Sequence, residues 1–337
     1  MEQTIQKKRI FSGIQPSGSL TLGNYLGALK NWVLLQDQFD ALYCVVDMHA
    51  ITVRQDPSQL RRRSIETAAL LLSCGIDPEK SLLFIQSHVR EHAMLNWVLC
   101  CGTYMGELNR MTQFKDKSAR HADNINGGLF TYPVLMASDI LLYNADLVPV
   151  GADQKQHVEL TRDIAERFNA TYGETFHIPE PYIGKIGARI MSLQEPEKKM
   201  SKSDTNPNGF ILMLDDPDTI ARKLRRAVTD CENVITFRPA EQPGVSNLLS
   251  IFSACSGLSM EETIKHFENR NYGVLKQDTA DAVISVLSPI QAEYKRILAD
   301  KAYLTATISS GAEKASALAS KMIRKVYHKV GFDSIKA

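Results

Sequence analysis

Five consecutive residues, Lys199-Met200-Ser201-Lys202-Ser203, put two ammonium groups and two hydroxyls on one short stretch of chain. Ammonium and hydroxyl groups donate hydrogen bonds, so the stretch suits the oxygens of a polyphosphate. A second element of this kind lies far upstream. Pro16-Ser17-Gly18-Ser19-Leu20-Thr21-Leu22-Gly23-Asn24 follows an apolar strand and opens a helix, where backbone N–H groups lack intrahelical partners and can meet a phosphate. On its own the lysine-serine run reads as a solvated loop. Paired with the upstream turn it reads as one side of a clamp, with ATP held from both sides.

Other phosphate and hydrolase chemistries are excluded by reading. Ile183-Gly184-Lys185-Ile186 mimics the tail of a P-loop, but Pro179 stands at the leading glycine and Ile186 replaces the hydroxyl that would hold magnesium. No Gly-x-Gly-x-x-Gly follows the first strand, and no Gly-x-Ser-x-Gly elbow or His-Glu-x-x-His helix occurs.

The elements that must position these residues alternate through the first half of the chain. Apolar strands are expected at 10–14, 42–46, 82–85 and 147–150, separated by amphipathic helices, which predicts a parallel sheet wrapped by helices. Leu22, Leu26, Leu29 and Val33 recur at helical spacing as one buried stripe, and Asp56-Pro57 starts a helix that runs through Ile65, Ala69 and Leu72 to Gly75. The alternation ends after the lysine-serine run. Asp-Thr-Asn-Pro-Asn-Gly at 204–209 is turn composition, and beyond it the chain reads as helices. The expectation is an α/β, Rossmann-like catalytic domain with a helical insertion at 1–205, followed by an α-helical domain at 206–337.

Composition bounds the partners. With 39 Lys+Arg against 38 Asp+Glu, bulk charge attracts no nucleic acid, so such a partner must be met by local patches. No apolar run approaches the roughly 20 residues of a bilayer span, and Met1 to Lys8 has no apolar signal region. Six cysteines scattered without a Cys-x-x-Cys pair read as reduced thiols, which points to the cytoplasm and to no membrane partner. Cys100 and Cys101 are a poor metal pair, because neighbours on a helix point about 100° apart.

Thr21-Leu22-Gly23-Asn24 and Lys199 to Ser203 resemble the two signatures of class I aminoacyl-tRNA synthetases. The stretches Phe11 to Gly18, Met111 to Lys115, Asp139 to Tyr143 and Asp153 to His157 resemble the bacterial tryptophanyl branch, and the similarity covers nearly the whole chain. The resemblance implies that a tryptophan carboxylate attacks the α-phosphorus of ATP, expelling pyrophosphate, and that the acyl group then passes to tRNA(Trp). It also implies magnesium with ATP but no protein side-chain metal ligands, a homodimer with tRNA lying across both subunits, and no DNA partner. A tyrosyl enzyme and a small-molecule adenylyltransferase are the competing readings. The second would lack the lysine-serine run and a tRNA-binding domain.

Two departures stand out. Thr21 and Asn24 occupy the places of the two class histidines, a replacement familiar in the tryptophanyl branch, so uncharged groups hydrogen-bond the phosphates. Ala152 stands where an acid usually precedes Asp153.

The resemblance assigns catalysis to Lys115, Lys199 and Lys202 with Thr21 and Asn24. It places Gln15, Pro16, Ser17, Gly23, Gly151, Ala152, Asp153, Ile190, Met200, Ser201 and Ser203 around ATP, with Gly151 and Asp153 near the ribose and Ile190 and Met200 flanking adenine. A core strand position is the other reading of Ile190. Since a carboxylate is already a nucleophile, catalysis rests on positioning and on charge stabilisation.

Spacing adds a pocket for the amino acid. If Pro133 opens a helix, Tyr132, Met136, Asp139 and Tyr143 share one face. Asp139 then suits the indole N–H, with Met136 and Phe11 covering the ring; the competing reading is a partly exposed Asp139 bonded to nearby protein donors. Tyr132 and Gln154 are candidates for the α-ammonium. A site built on a buried N–H rejects phenylalanine and needs no editing domain. Lys314, Lys321, Arg324, Lys325, Lys329 and Lys336, and a second cluster of Arg222, Lys223, Arg225 and Arg226, suit tRNA phosphates, with solvated helix faces as the alternative. The last helix can pack back on the catalytic domain.

Overall fold

The computed structural model describes residues 7–16, 18–114, 125–151, 154–182 and 189–333. Ser17, Lys115, Ala152, Asp153 and Lys336 lie outside the described residues.

Five parallel strands, β1 (Arg9–Ile14), β2 (Asp40–Val45), β3 (Ser81–Ile85), β4 (Leu147–Pro149) and β5 (Glu180–Tyr182), form one sheet in the order β3-β2-β1-β4-β5. The first four match the expected strands. β5 was not expected, because Glu180-Pro181-Tyr182 is short and carries a proline, which confines it to the sheet edge. Strand residues alternate between the two faces, so the sheet has a core on each side. Ile10, Ala41, Tyr43 and Leu83 enter one core, while Phe11, Leu42, Cys44 and Phe84 enter the other.

Helices α1 (Leu22–Asn24) and α2 (Lys30–Gln38) are joined by a π-helical turn, Tyr25–Leu29. Leu22, Leu26 and Leu29 are buried as expected, but Val33 is only partly so. The wide turn advances the helical phase, and Trp32 and Leu35 face the core instead. α3 (Asp47–Ala50) and α4 (Pro57–Ser73) follow. Asp56 caps α4 by accepting the Gln59 N–H at 2.8 Å, and Gly75 turns the chain away at φ +104°. α5 (Glu91–Cys101), α6 (Met105–Asn109), α7 (Gly127–Leu141) and α8 (Lys155–Tyr172) pack on the second face.

One sequence expectation is corrected in α7. Pro133 lies inside the helix and not at its first turn, because Asn126 caps the Leu129 N–H at 2.9 Å and starts the helix earlier. Pro133 therefore leaves the Leu129 carbonyl without its helical donor.

The second half is helical: α9 (Pro217–Arg225), α10 (Pro243–Ser256), α11 (Met260–His266), α12 (Tyr272–Ala299) and α13 (Lys301–Val330). α12 packs along α4, and α13 returns to cover edge strand β3. That crossing is very close: a β-carbon at Gly311 would lie 1.9 Å from the Leu83 carbonyl oxygen, so only glycine fits there.

Candidate active site

β1 and β4 are neighbours in the sheet but distant in sequence, and in open parallel sheets ligands bind outside the carboxyl ends of strands at such a switch point. Gln15 and Pro16 leave the end of β1 there, and Gly151 leaves the end of β4. Gln154 begins α8 with its N–H on the Gly151 carbonyl at 3.0 Å.

The first signature is locally braced. Thr21 is buried and caps α1: its Oγ1 accepts the Asn24 N–H, while Asn24 Oδ1 accepts both the Thr21 N–H (2.9 Å) and the Thr21 hydroxyl (3.0 Å). The Thr21 hydroxyl is thus fully engaged and holds Asn24, which is exposed with its amide N–H groups available to a ligand.

The lysine-serine run sits on the end of a hairpin. Ser192 N–H bonds the Lys198 carbonyl, and Met200 N–H bonds the Ile190 carbonyl, with Met191 and Lys199 bridged. The chain that follows stitches the hairpin to the first signature, through Leu22 N–H to Ile211 O (2.8 Å) and Met213 N–H to Leu20 O (2.9 Å). A β-carbon at Gly23 would lie 3.5 Å from Met200 Cβ and 3.7 Å from Ile190 Cβ. Two stretches nearly two hundred residues apart are therefore in contact. Ile190 and Met200, at 1% and 5% exposure, are core residues packed on Gly23, which is the core reading of Ile190.

Lys199, Ser201, Lys202 and Ser203 are exposed, with the Ser203 N–H bonded to Ser201 Oγ. The Lys202 ammonium lies beside Gly18, next to Arg63 of α4. Desolvation there, and then the like charge of Arg63, lower its pKa. The chain leading to Lys115 is anchored where Gln156 Oε1 accepts the Thr112 N–H at 3.0 Å and the Thr112 hydroxyl at 2.9 Å.

A buried polar cluster around Asp139 lies on the opposite face of the sheet. Asp139 is 1% exposed and accepts three hydrogen bonds. Gln86 Nε2 (2.7 Å) and His92 Nδ1 (2.6 Å) meet Oδ1, and His49 Nε2 (2.8 Å) meets Oδ2. Burial alone would raise its pKa, but the bonds from His49 and His92 outweigh that and hold the carboxyl below its ordinary value. An ionised carboxylate has about four acceptor directions, so the three bonds leave one on Oδ2. Phe11 stacks on Tyr143 with centroids 5.8 Å apart, half-buried Met136 packs on the same core, and Tyr132 hydroxyl meets His157 Nε2 at 2.9 Å.

The model of the class I tRNA synthetases for tryptophan and tyrosine matches residues 4–288. The chain belongs to that family. ATP is a substrate of these enzymes. This synthetase is 58% identical over 326 residues to a tryptophan–tRNA ligase of Clostridium tetani, covering 97% of this chain and 96% of that one. Among solved structures it resembles the tryptophanyl-tRNA synthetase of Mycoplasma pneumoniae (TM-score 0.89, 37% identity, 98% of this chain and 99% of that one). It also resembles that of Campylobacter jejuni, complexed with ADP and tryptophan (TM-score 0.83, 34% identity, 96% and 100%). The α/β Rossmann-like fold with a helical C-terminal half is the fold of these enzymes.

His49, Gln86 and His92 were missed in the sequence. They come from three separate segments, and nothing in their spacing marks them; buried histidine and glutamine beside strand ends were the available signal. The second basic cluster of the synthetase needs correcting. Lys223 is buried, bonds Asp215 Oδ2 at 2.6 Å and lies over the Phe210 ring, so it cannot meet a phosphate. Arg225 and Arg226 remain exposed, as do Lys314, Lys321 and Arg324, while Lys325 Nζ bonds the Thr175 carbonyl.

Proposed function

We propose that this synthetase activates L-tryptophan with ATP to tryptophanyl-adenylate and pyrophosphate, and then transfers tryptophan to tRNA(Trp). The observation that carries the reading is the contact of Ile190 and Met200 with Gly23, which gives the two signatures one common site. The 58% identity to a tryptophan–tRNA ligase favours tryptophan over the tyrosyl and adenylyltransferase readings.

In this reading tryptophan lies with its indole N–H on the open acceptor of Asp139 and its ring against Phe11 and Met136. Tyr132 and Gln154 meet its ammonium. ATP lies over Gln15, Pro16, Ser17, Gly23 and Asn24, with its ribose near Gly151 and Asp153. The tryptophan carboxylate attacks the α-phosphorus and pyrophosphate leaves. Lys115, Lys199 and Lys202 balance the charge that grows on the leaving group, and Asn24 donates to its oxygens. Ser201 and Ser203 donate from the same loop. Magnesium would enter with ATP as part of the substrate; the lysine ammonium and amide N–H groups are donors, which suit phosphate oxygens and not the cation.

Residues 1–205 serve as the catalytic unit and 206–337 as the anticodon-binding unit, with Lys314, Lys321 and Arg324 on the exposed side of α13 supporting contact with tRNA phosphates. A homodimer is supported by Trp97 and Met105, large apolar side chains 68% and 66% exposed on α5 and α6. We place the enzyme in the cytoplasm, in keeping with six free cysteines; no helix among the described residues is long and apolar enough to cross a membrane.

The test is amino-acid-dependent exchange of pyrophosphate into ATP, comparing tryptophan, tyrosine and phenylalanine. Exchange should depend on tryptophan, and exchange with tyrosine alone would overturn the substrate.

A further inference from the structure

Three donors fix Asp139, but one of them does more. The His92 ring is completely buried, with Nδ1 2.6 Å from Asp139 Oδ1 and Nε2 2.9 Å from the Tyr143 hydroxyl. Since an ionised carboxylate only accepts, Nδ1 must carry a proton toward Asp139, and in the neutral ring Nε2 then accepts the Tyr143 O–H. Tyr143 in turn stacks on Phe11 with an interplanar angle of 11°. One imidazole thus holds the carboxylate and, through Tyr143, the aromatic stack with Phe11.

Its own position is fixed from both sides. The His92 carbonyl accepts the Ser138 hydroxyl at 2.8 Å, so α5 is tied to the residue before Asp139. The preceding Glu91 is also buried, and it accepts the hydroxyls of Ser316 (3.1 Å) and Ser320 (2.5 Å) of α13. The ring cannot turn without breaking its bonds to Asp139 on α7 and to Tyr143 just past the end of that helix.

We propose that His92 is a positioning and specificity-determining residue that aims the open acceptor of Asp139 at an indole N–H without touching the substrate. The proposal rests on the reading of Asp139 as the partner of that N–H. It predicts that His92 matters for ligands that carry the donor and not for ligands of the same shape without it. With His92 gone, Gln86 on Oδ1 and His49 on Oδ2 still bond the carboxylate, but Oδ1 loses one of its two donors and the carboxylate is held less firmly in orientation.

The experiment uses the full-length enzyme and pyrophosphate exchange, comparing tryptophan with its benzothienyl analogue, in which sulfur replaces the indole N–H. His92→Ala should lower the preference for tryptophan about tenfold, through the KM for tryptophan, with the KM for ATP unchanged. His92→Asn, which keeps an amide donor near the place of Nδ1, should restore most of the preference, whereas His92→Gln should not. Tyr143→Phe keeps the stacking ring and removes one hydroxyl; it should lower the preference about threefold and decides the matter if the His92 variants do not fold. A preference unchanged in His92→Ala or, failing that, in Tyr143→Phe overturns the proposal, as does an equal loss for both ligands. Asp139→Ala separates the two levels: if it abolishes the preference while His92→Ala does not, only the role of His92 fails, and if it leaves the preference intact, the reading of Asp139 fails with it.

Discussion

On one face of the sheet Asp139 is buried and met by donors from three different segments, with a histidine shared between it and an aromatic stack. On the other, Lys199, Lys202 and Ser203 stand exposed on a hairpin held mainly by backbone bonds and by the closure of Ile190 and Met200 on Gly23. The first arrangement is complete before any ligand arrives, and a buried polar network of this kind is costly to rearrange. The second carries its cations on an exposed hairpin, where a polyanion can reach them. In the proposed function, selectivity for the amino acid falls to the buried side and charge stabilisation of the leaving group to the exposed hairpin.

The sharpest way to break this contrast is to damage each side and ask what is lost. Asp139→Ala leaves Gln86, His49 and His92 with buried donors and no acceptor, at about 1–3 kcal/mol for each unmade bond. We expect a lower Tm together with a rise of at least about a hundredfold in the KM for tryptophan, checked by calorimetry and pyrophosphate exchange. Lys202→Ala should not lower Tm and, by removing a desolvated charge beside Arg63, should raise it slightly; it should leave the KM for tryptophan alone and cut kcat by about 10 to 150 fold. A Lys202→Ala enzyme with normal kcat, or one that loses tryptophan affinity, would merge the two sides into one.

The same contrast explains what could be read from the sequence. The two stretches proposed to hold phosphate, 16–24 and 199–203, could be picked out because each is contiguous, and the structure brings Gly23 against Met200. The first four strands were legible for the same reason, as runs of apolar residues. Asp139 was legible as a carboxylate out of place among apolar neighbours, but its donors were not, since His49, Gln86 and His92 are brought to it only by the sheet order. Pro133 misled because proline favours a first helical turn, and here the Asn126 cap outweighs that preference. Lys223 misled because a basic cluster on a helix does not reveal which of its members faces Asp215.

Two substitutions of smaller effect probe the frame of each side. Gly311→Ala would press a methyl group onto the Leu83 carbonyl and push α13 off the edge of β3. Overpacking of this kind costs about 1–3 kcal/mol, so Tm should fall while exchange kinetics with ATP stay close to normal. Thr21→Ala removes the cap of α1 and the hydroxyl that holds Asn24, at about 1 kcal/mol of stability. Because the phosphate side is lightly braced, its KM for ATP should rise with the loss of that cap, whereas its KM for tryptophan should not.

The two sides also titrate in different windows. The folded pKa of Asp139 is lowered, so its contribution to stability is complete above the unfolded carboxyl value, about 3.9, and is lost as pH falls through the folded value. Its charge therefore does not change across the neutral range, and it should add no inflection to the KM for tryptophan above about pH 5. For Lys202 the sign is opposite: its folded pKa is lowered by desolvation and by Arg63, so its charged form costs stability at neutral pH and that cost is relieved as pH rises through the folded value. In the free enzyme the ammonium is then lost below the ordinary lysine value of about 10.4, and kcat/KM for ATP should begin to fall there. A bound triphosphate supplies the opposite charge and raises that pKa again, so the alkaline limb of kcat should lie at higher pH than the limb of kcat/KM. Coincident limbs would mean that Lys202 meets the same surroundings with and without nucleotide, which a clamp completed by its ligand does not allow.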